Sequence, residues 1–329
     1  MNVLQRLASF FLPRKPLKVG WLLLGDANTG SSRIHGLNIH NYLIKQGVES
    51  LILQSSPRMI NALTLSEAEQ QSILGAGFDV LLFQKVRDAK AQAFAKEARR
   101  RRIRTVFIQC DCIETDMVSA VDDLVVISAN LRDYYREKYG INATVIEDAI
   151  EVPTDRVKVH TQKAPLELVW VGYSDNWESL GMVRDALALP GGEGFTLKTI
   201  SNHPEADVPW ALETVTDEIL ASDIAVIPAH LHAWGMGKSS NRLTMFMALG
   251  MPVVASPVPS YLDVVRQGEN AFIARSAEEW LHFLSRLRDD RLRSEMGRQA
   301  REDATKRFSL GTIGPVWINF LKSGRKAVR

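Results

Sequence analysis

The segment KSSNRLTMFMALGMPVVASPVPSYLDVVRQGEN, residues 238–270, decides the fold, because an apolar helical pattern ends at Gly250 and a short buried strand starts at once. In parallel sheets, loops and helix N-termini gather at the carboxyl ends of the strands and present unpaired backbone N–H groups to anions. Lys238 stands at the entrance of this helix, in the glycine-containing loop 228–242, and adds a point charge. The segment predicts an α/β fold with an anion site here. The alternative is a solvated loop with an ordinary helix cap.

The same alternation of short apolar runs and helical patterns continues along the rest of the chain, with a proline-containing break at residues 152–165. The strands predicted before and after the break are residues 18–24, 48–53, 78–83, 103–109, 123–128 and 143–147, then 166–172, 195–201, 223–229, 252–256 and 270–274. We expect two Rossmann-like domains with parallel sheets facing a central cleft, at residues 1–155 and 156–310. Residues 311–329 are predicted to form a helix that crosses back to the first domain.

Composition places the chain among ordinary globular proteins. Its 329 residues are 46% apolar and 24% charged, and 40 basic residues against 38 acidic ones leave a net charge of +2. This balance argues against a nucleic-acid partner. Cys110 and Cys112 are predicted to be reduced thiols, as in a cytoplasmic protein, and no second Cys or His pair is present to complete a metal site.

The two ends of the chain raise the question of membrane contact. Residues 1–12 are apolar on one helical face and are followed by basic side chains, but they are too few to span a bilayer. They predict either an amphipathic anchor lying on the inner face of a membrane or a helix packed on the protein body. The basic C-terminal residues 320–329 and the cluster at 98–104 allow the same contact with anionic lipid.

The motif GDANTGSSRIHG, residues 25–36, joins the first predicted strand to the first helix. Gly30 permits close backbone approach, and Ser31 or Ser32 can cap the helix. Arg33 is disfavoured near a helix N-terminus unless an anion lies there too. His35 is placed near the helix start, where it has a role in the site or is structural. Because the motif lacks G-x-G-x-x-G spacing, it indicates neither nicotinamide nor flavin.

Three further loops follow predicted strands of the two domains. Asp111 lies at a carboxyl strand end, where it can contact acceptor hydroxyls or the transferred sugar. Gly172, Tyr173 and Ser174 open the loop YSDNWES of the second domain, where polar side chains either bind phosphate or cap the next helix. The loop that contains Lys238 adds three further donor-binding candidates, which are Ser239, Asn241 and Arg242.

The order of these motifs resembles the retaining GT-B glycosyltransferases of glycosyltransferase family 4, the glycosyl transferases group 1 family. The likeness is strongest over residues 223–274, where DIAVIP precedes the donor loop, a helix ending M-A-x-G-x-P-V-V and a G-x-N turn. Elsewhere, GSSRIHGLNIHNYLIKQG, VISANLRDYY and VIEDAIEVP are collinear with the family. The resemblance implies a GT-B fold and a transferase, and within it Asp111, His35 and Lys238 are our candidates for catalysis.

The resemblance also implies the ligands. The donor is expected to be a nucleoside diphosphate sugar held mainly by the C-terminal domain, and the acceptor a saccharide or a lipid-linked molecule on the N-terminal domain, in glycan biosynthesis. Lys238, Asn241 and Arg242 are expected in the donor loop, with Gly172 and Ser174 opposite. Neither a cofactor nor a metal is expected, because basic side chains and helix N-termini meet the charge of the leaving group.

One departure from the family concerns two positions that carry Glu in many members. Gly237 and Met245 stand there, and neither side chain can accept a hydroxyl hydrogen bond. Donor recognition is therefore expected to differ, or activity to be lost. Two alternatives to a transferase stay open: a sugar-nucleotide epimerase of GT-B fold and a non-catalytic GT-B binding protein.

Overall fold

The computed structural model describes residues 15–153, 155–231 and 237–324. Its first sheet has six parallel strands in the order β2-β1-β3-β4-β5-β6. Buried apolar runs form the central strands, as expected for a sheet covered on both faces. The strands are β1 (Lys18–Leu23), β2 (Glu49–Gln54), β3 (Val80–Gln84), β4 (Arg104–Gln109), β5 (Asp123–Val126) and β6 (Thr144–Val145).

Helices connect these strands, and several begin at side-chain caps. Ser66, Asp88 and Ser128 each accept a hydrogen bond from the backbone three residues on, which satisfies an otherwise unpaired N–H group. The first helical segment is continuous but changes type, with a π-helical stretch at Arg33–Leu37. The helical elements are Gly30–Ser32, Arg33–Leu37, Asn38–Lys45, Glu67–Gly75, Ala89–Arg100, Met117–Ala120 and Ala129–Tyr139.

The second sheet also has six parallel strands, in the order β12-β11-β10-β7-β8-β9. Its strands are β7 (Leu166–Val171), β8 (Phe195–Ser201), β9 (Val208–Pro209), β10 (Ile224–Ile227), β11 (Val253–Ala255) and β12 (Phe272–Ile273). Its helical elements are Ser174–Leu180, which is a 3-10 helix, Gly181–Ala188, Val215–Ala221, Asn241–Ala248, Pro259–Leu262, Ala277–Arg286 and Asp290–Phe308.

The last helix, Leu310–Ser323, packs on the first sheet although it follows the second in the chain. Its Trp317 is 3% exposed and lies against Trp21 of β1, with ring centroids 6.2 Å apart. Arg104 of β4 donates a 2.8 Å hydrogen bond to the carbonyl of Phe320. The C-terminal helix is therefore part of the first hydrophobic core.

The two-sheet α/β architecture expected from the sequence is confirmed, and every predicted strand is present at slightly different bounds. The two-residue strand β9 was not predicted. It ends on Pro209 at the sheet edge, where the missing N–H costs no ladder hydrogen bond. The predicted amphipathic anchor in residues 1–12 lies outside the described residues, as does much of the basic C-terminal end. No helix in the described ranges has the length and apolarity to cross a bilayer.

Candidate active site

The site is built where loops at the carboxyl ends of the two sheets meet. The Tyr173 hydroxyl donates a 3.4 Å hydrogen bond to the carbonyl of Asn28 in the other half of the chain. Gly237 packs on Cys112 so tightly that a Cβ placed on the glycine would lie 2.6 Å from the cysteine sulfur. The two halves are thus in direct contact at both loops.

Lys238 is partly buried at the entrance of the helix Asn241–Ala248. Its ammonium group donates to the Oδ1 atom of Asn176, and its carbonyl oxygen accepts a 2.7 Å hydrogen bond from Ser260. Burial, together with the nearby Arg242 guanidinium, lowers the pKa of Lys238 to about 8, although Asp111 and Asp175 partly offset the change. An anion placed beside this ammonium would remove part of the cost of burying its charge.

The start of that helix lacks a side-chain cap from its N-cap residue. Ser240 occupies the N-cap position but makes no side-chain cap, so the expected serine cap is found only as a 3.3 Å bond from the Asn241 amide to the Ser239 hydroxyl. The side-chain Nδ2 of Asn241 is buried and has no hydrogen-bond partner among the described residues. Since buried polar groups are normally paired, Nδ2 of Asn241 is an unsatisfied donor at the helix start.

The loop after β7 contacts Lys238 through Asn176. The sequence allowed its polar side chains either to bind phosphate or to cap the next helix, and no side-chain cap is formed at the N-cap residue. Tyr173 is the N-cap residue and is 47% exposed, and none of the polar residues that follow makes a side-chain cap. The backbone N–H of Ser174 donates 2.9 Å to the side chain of Asn202. Gly172 donates its N–H to Ile200 at 3.1 Å and is partly exposed. This loop therefore lies opposite the loop that carries Lys238.

The first loop corrects one expectation about its serines. The helix begins at Gly30, which puts Ser31 and Ser32 inside the first turn, so neither caps it. Ser32 is fully buried, and its hydroxyl accepts 2.9 Å from the Gly25 amide and donates 3.0 Å to Gln84. Ser32 therefore holds the loop to β3, whereas Ser31 and Gly30 keep partial exposure.

The position of Arg33 at a helix start suggested a nearby anion, and the structure places the carboxylate of Glu151 there. Its Nε atom lies 2.6 Å from Glu151, and its guanidinium lies 5.4 Å from the ring centroid of Trp210. The ion pair is only 11% exposed on each side. Arg33 thus joins the first helix to the segment between the two sheets, and a ligand would have to compete with Glu151 for it.

His35 forms a second buried ion pair with the same segment. Its Nδ1 atom lies 2.9 Å from Asp148, and both side chains are nearly inaccessible. Burial lowers the pKa of His35, but the Asp148 carboxylate and Cys110 raise it more, to about 10. His35 is therefore a cation at neutral pH. The π-helical stretch that carries it is a feature often found at functional sites.

Asp111, the carboxylate candidate of the first half, is bound to a residue that was not predicted for the site. Its carboxylate forms an ion pair with the ammonium of Lys85, the residue that follows β3. The backbone carbonyl of Asp111 accepts a 3.1 Å hydrogen bond from Tyr135. No local sequence pattern marks Lys85, because the pairing depends on strands that are distant in the chain.

Two positions carry Glu in many members of the family that the sequence resembles, and the structure explains why this chain has no Glu there. Gly237 has no room for a side chain against Cys112. Met245 is 7% exposed and lies in a hydrophobic cluster on the second sheet. Both cysteines are free. Within residues 15–153, 155–231 and 237–324, no group of three or more His, Cys, Asp and Glu side chains is arranged to hold a metal ion.

No protein-family model matches this sequence, and no curated protein matches it either. Solved structures do match its fold. A glycosyltransferase from Rickettsia africae superposes with a TM-score of 0.72 at 12% identity, over 94% of this chain and 98% of that one. Sucrose-phosphate synthase from Thermosynechococcus elongatus gives 0.69 at 12% identity, over 94% and 99%. HepE from Anabaena, in complex with UDP-glucose, gives 0.68 at 13% identity, over 93% and 100%.

These similarities cover 93–94% of this chain, so they establish the architecture of nearly all of the part that the structure describes. The protein has the GT-B fold, with two parallel α/β units around a cleft. Identities of 12% and 13% establish the fold alone.

Proposed function

We propose that this protein is a glycosyltransferase that moves a sugar from a nucleoside diphosphate donor to a saccharide or lipid-linked acceptor, with retention at the anomeric carbon and without a metal. One observation carries the proposal: in a chain of GT-B fold, the partly buried Lys238 lies just before the helix Asn241–Ala248, whose N-cap residue makes no side-chain cap. Cations and free N–H groups at a helix start are what a diphosphate requires.

In this proposal the residues divide between the two walls of the cleft. Lys238, Arg242 and the Asn241 amide bind the diphosphate and stabilise the charge of the leaving group. Asp111, on the opposite wall, accepts hydrogen bonds from acceptor or sugar hydroxyls. Closure of the two halves around the donor excludes water and protects the donor from hydrolysis.

The absence of both glutamates gives a specific reason to weigh a second candidate, a GT-B protein that binds a nucleotide sugar without transferring it. The tight contact between Gly237 and Cys112 leaves no space for a carboxylate at one of these positions. The transferase is favoured because Asp111 supplies another carboxylate to the same cleft. Association with a membrane through the basic ends of the chain stays a prediction in either case.

A thermal-shift screen over UDP, GDP, ADP and their sugars tests the proposal, since a ligand that binds only the native state raises Tm. We expect one nucleotide series to raise Tm in the wild type and to lose this effect in Lys238→Met. Lys45→Met, at an exposed helix end, is the matched control and should respond like the wild type. Release of nucleoside diphosphate upon addition of candidate acceptors separates transfer from binding alone. If no nucleotide shifts Tm, the proposed function is wrong.

A further inference from the structure

Lys85 has an unusual backbone conformation for its residue type. It follows β3 with φ of 61°, in the left-handed region, and its N–H donates 3.1 Å to the carbonyl of Ile108 on β4. This conformation is sterically disfavoured for residues other than glycine. Among the described residues, Arg102 is the other non-glycine residue with a positive φ. Such strain persists where the surroundings enforce it, which is common at active sites.

The conformation directs the Lys85 ammonium onto the Asp111 carboxylate. The two side chains are only 15% and 20% exposed, so the pair is largely removed from solvent screening. Burial lowers the pKa of Lys85, but Cys110 and Asp111 raise it more, so that the net pKa lies above its usual value. Lys85 is therefore a permanent cation on the wall that carries Asp111.

Asp111 has a second cation within electrostatic reach. The contact between Gly237 and Cys112 brings together the two segments that carry Lys238 and Asp111, each one residue from the contact. Consistent with this, the Asp111 carboxylate raises the pKa of Lys238. A carboxylate that paired directly with Lys238 would neutralise the charge that a diphosphate needs.

We propose that Lys85 is a positioning residue: it retains Asp111 on its own wall of the cleft and thereby leaves Lys238 available to the diphosphate of the donor. This inference rests on the proposed function. Without Lys85, the carboxylate turns to Lys238 and competes with the anionic ligand. The effect of Lys85 on nucleotide binding is then indirect and passes entirely through Asp111.

Calorimetric titration of the full chain with UDP, or with the nucleotide that the thermal-shift screen selects, tests this chain of dependence. We expect Lys85→Met to weaken binding roughly tenfold, a typical coupling within a charge network. Lys85→Arg should bind nearly normally. The decisive variant is Lys85→Met combined with Asp111→Asn, in which the competing carboxylate is gone and binding should return to near the wild-type value. If the double variant binds as weakly as Lys85→Met, the inference is overturned.

A second measurement distinguishes failure of this inference from failure of the proposed function. Acetylation of Lys238 by acetic anhydride, followed by mass spectrometry across a pH series, reports the charge on its amine without any nucleotide. In Lys85→Met the midpoint should move to higher pH, because a paired ammonium holds its proton more strongly. Arg102→Met removes the cationic side chain of the other residue with a positive φ and should leave the midpoint unchanged. An unchanged midpoint in Lys85→Met overturns the inference even if no nucleotide binds.

Discussion

The lowered pKa of Lys238 predicts that diphosphate binding takes up a proton. With a pKa of about 8, the free amine is half protonated at pH 8, whereas a bound diphosphate favours the ammonium form. Binding at pH 8 should therefore take up about 0.5 proton per site. At pH 7 the uptake falls to about 0.1, because nearly all molecules already carry the proton.

The same linkage sets the pH dependence of affinity. Between pH 7 and pH 9 the protonated fraction of Lys238 falls about tenfold, so the affinity should fall by up to about tenfold, or about 1.4 kcal/mol. This is an upper limit, because Lys238 is partly exposed and solvent screens its interactions. The terminal phosphate, with a pKa of about 6, is already about nine-tenths deprotonated at pH 7, so its own proton release on binding is at most about 0.1 there and vanishes at higher pH.

Calorimetry in buffers of different ionisation enthalpy measures the proton uptake, with UDP or the preferred nucleotide as the probe. Lys238→Arg is the matched control: its guanidinium stays charged, so binding should persist with no uptake and no dependence on pH. A wild-type protein that binds nucleotide at pH 8 without proton uptake, and with equal affinity at pH 7 and pH 9, would refute the assignment of Lys238 to the diphosphate.

Three other predictions concern contacts away from that ammonium. Gly237→Ala places a methyl group against the sulfur of Cys112 and should lower turnover by about 10–100-fold with little change in Tm. Addition of Cys112→Ala should recover much of the lost turnover. Failure of this rescue would exclude the steric explanation. Trp317→Ala should lower the free energy of unfolding by about 3–5 kcal/mol in urea titrations, whereas the exposed neighbour mutated as Val316→Ala should change it by less than about 0.5 kcal/mol. The His35 pair contributes stability below pH 6.5 that is lost as the pH rises toward about 10. The difference in unfolding free energy between the wild type and His35→Gln should therefore shrink over that range, and a constant difference would contradict it.

The fold was accessible from the sequence because its signals are local. Buried parallel strands are continuous apolar runs, and the Gly250 turn into β11 can be read from adjacent residues. The short edge strand β9 was missed because Val208–Pro209 lies in a polar, proline-containing stretch, whereas the equally short strands β6 and β12 lie in apolar runs. Its existence depends on pairing with β8, which is a tertiary interaction.

The candidate site was only partly accessible, because its pairings join distant parts of the chain. The sequence predicted Lys238 and Asp111 as cleft residues, but it could not show that Lys85 binds Asp111. Arg33 was expected to need an anion, and its partner Glu151 lies 118 residues away. The sequence contained one signal for these ion pairs. The segment before the proline-containing break carries the acidic residues Asp148 and Glu151, and the first helix carries the basic residues Arg33 and His35.

The return of the last helix to the first sheet has a consequence for synthesis on the ribosome. The face of β1 around Trp21 is completed by Trp317, so the N-terminal half cannot finish its core until nearly the whole chain has emerged. Domains usually mature in the order in which they are translated. Here the half made first has to wait for the half made second, and a nascent chain halted after residue 155 would present an uncovered apolar surface to chaperones.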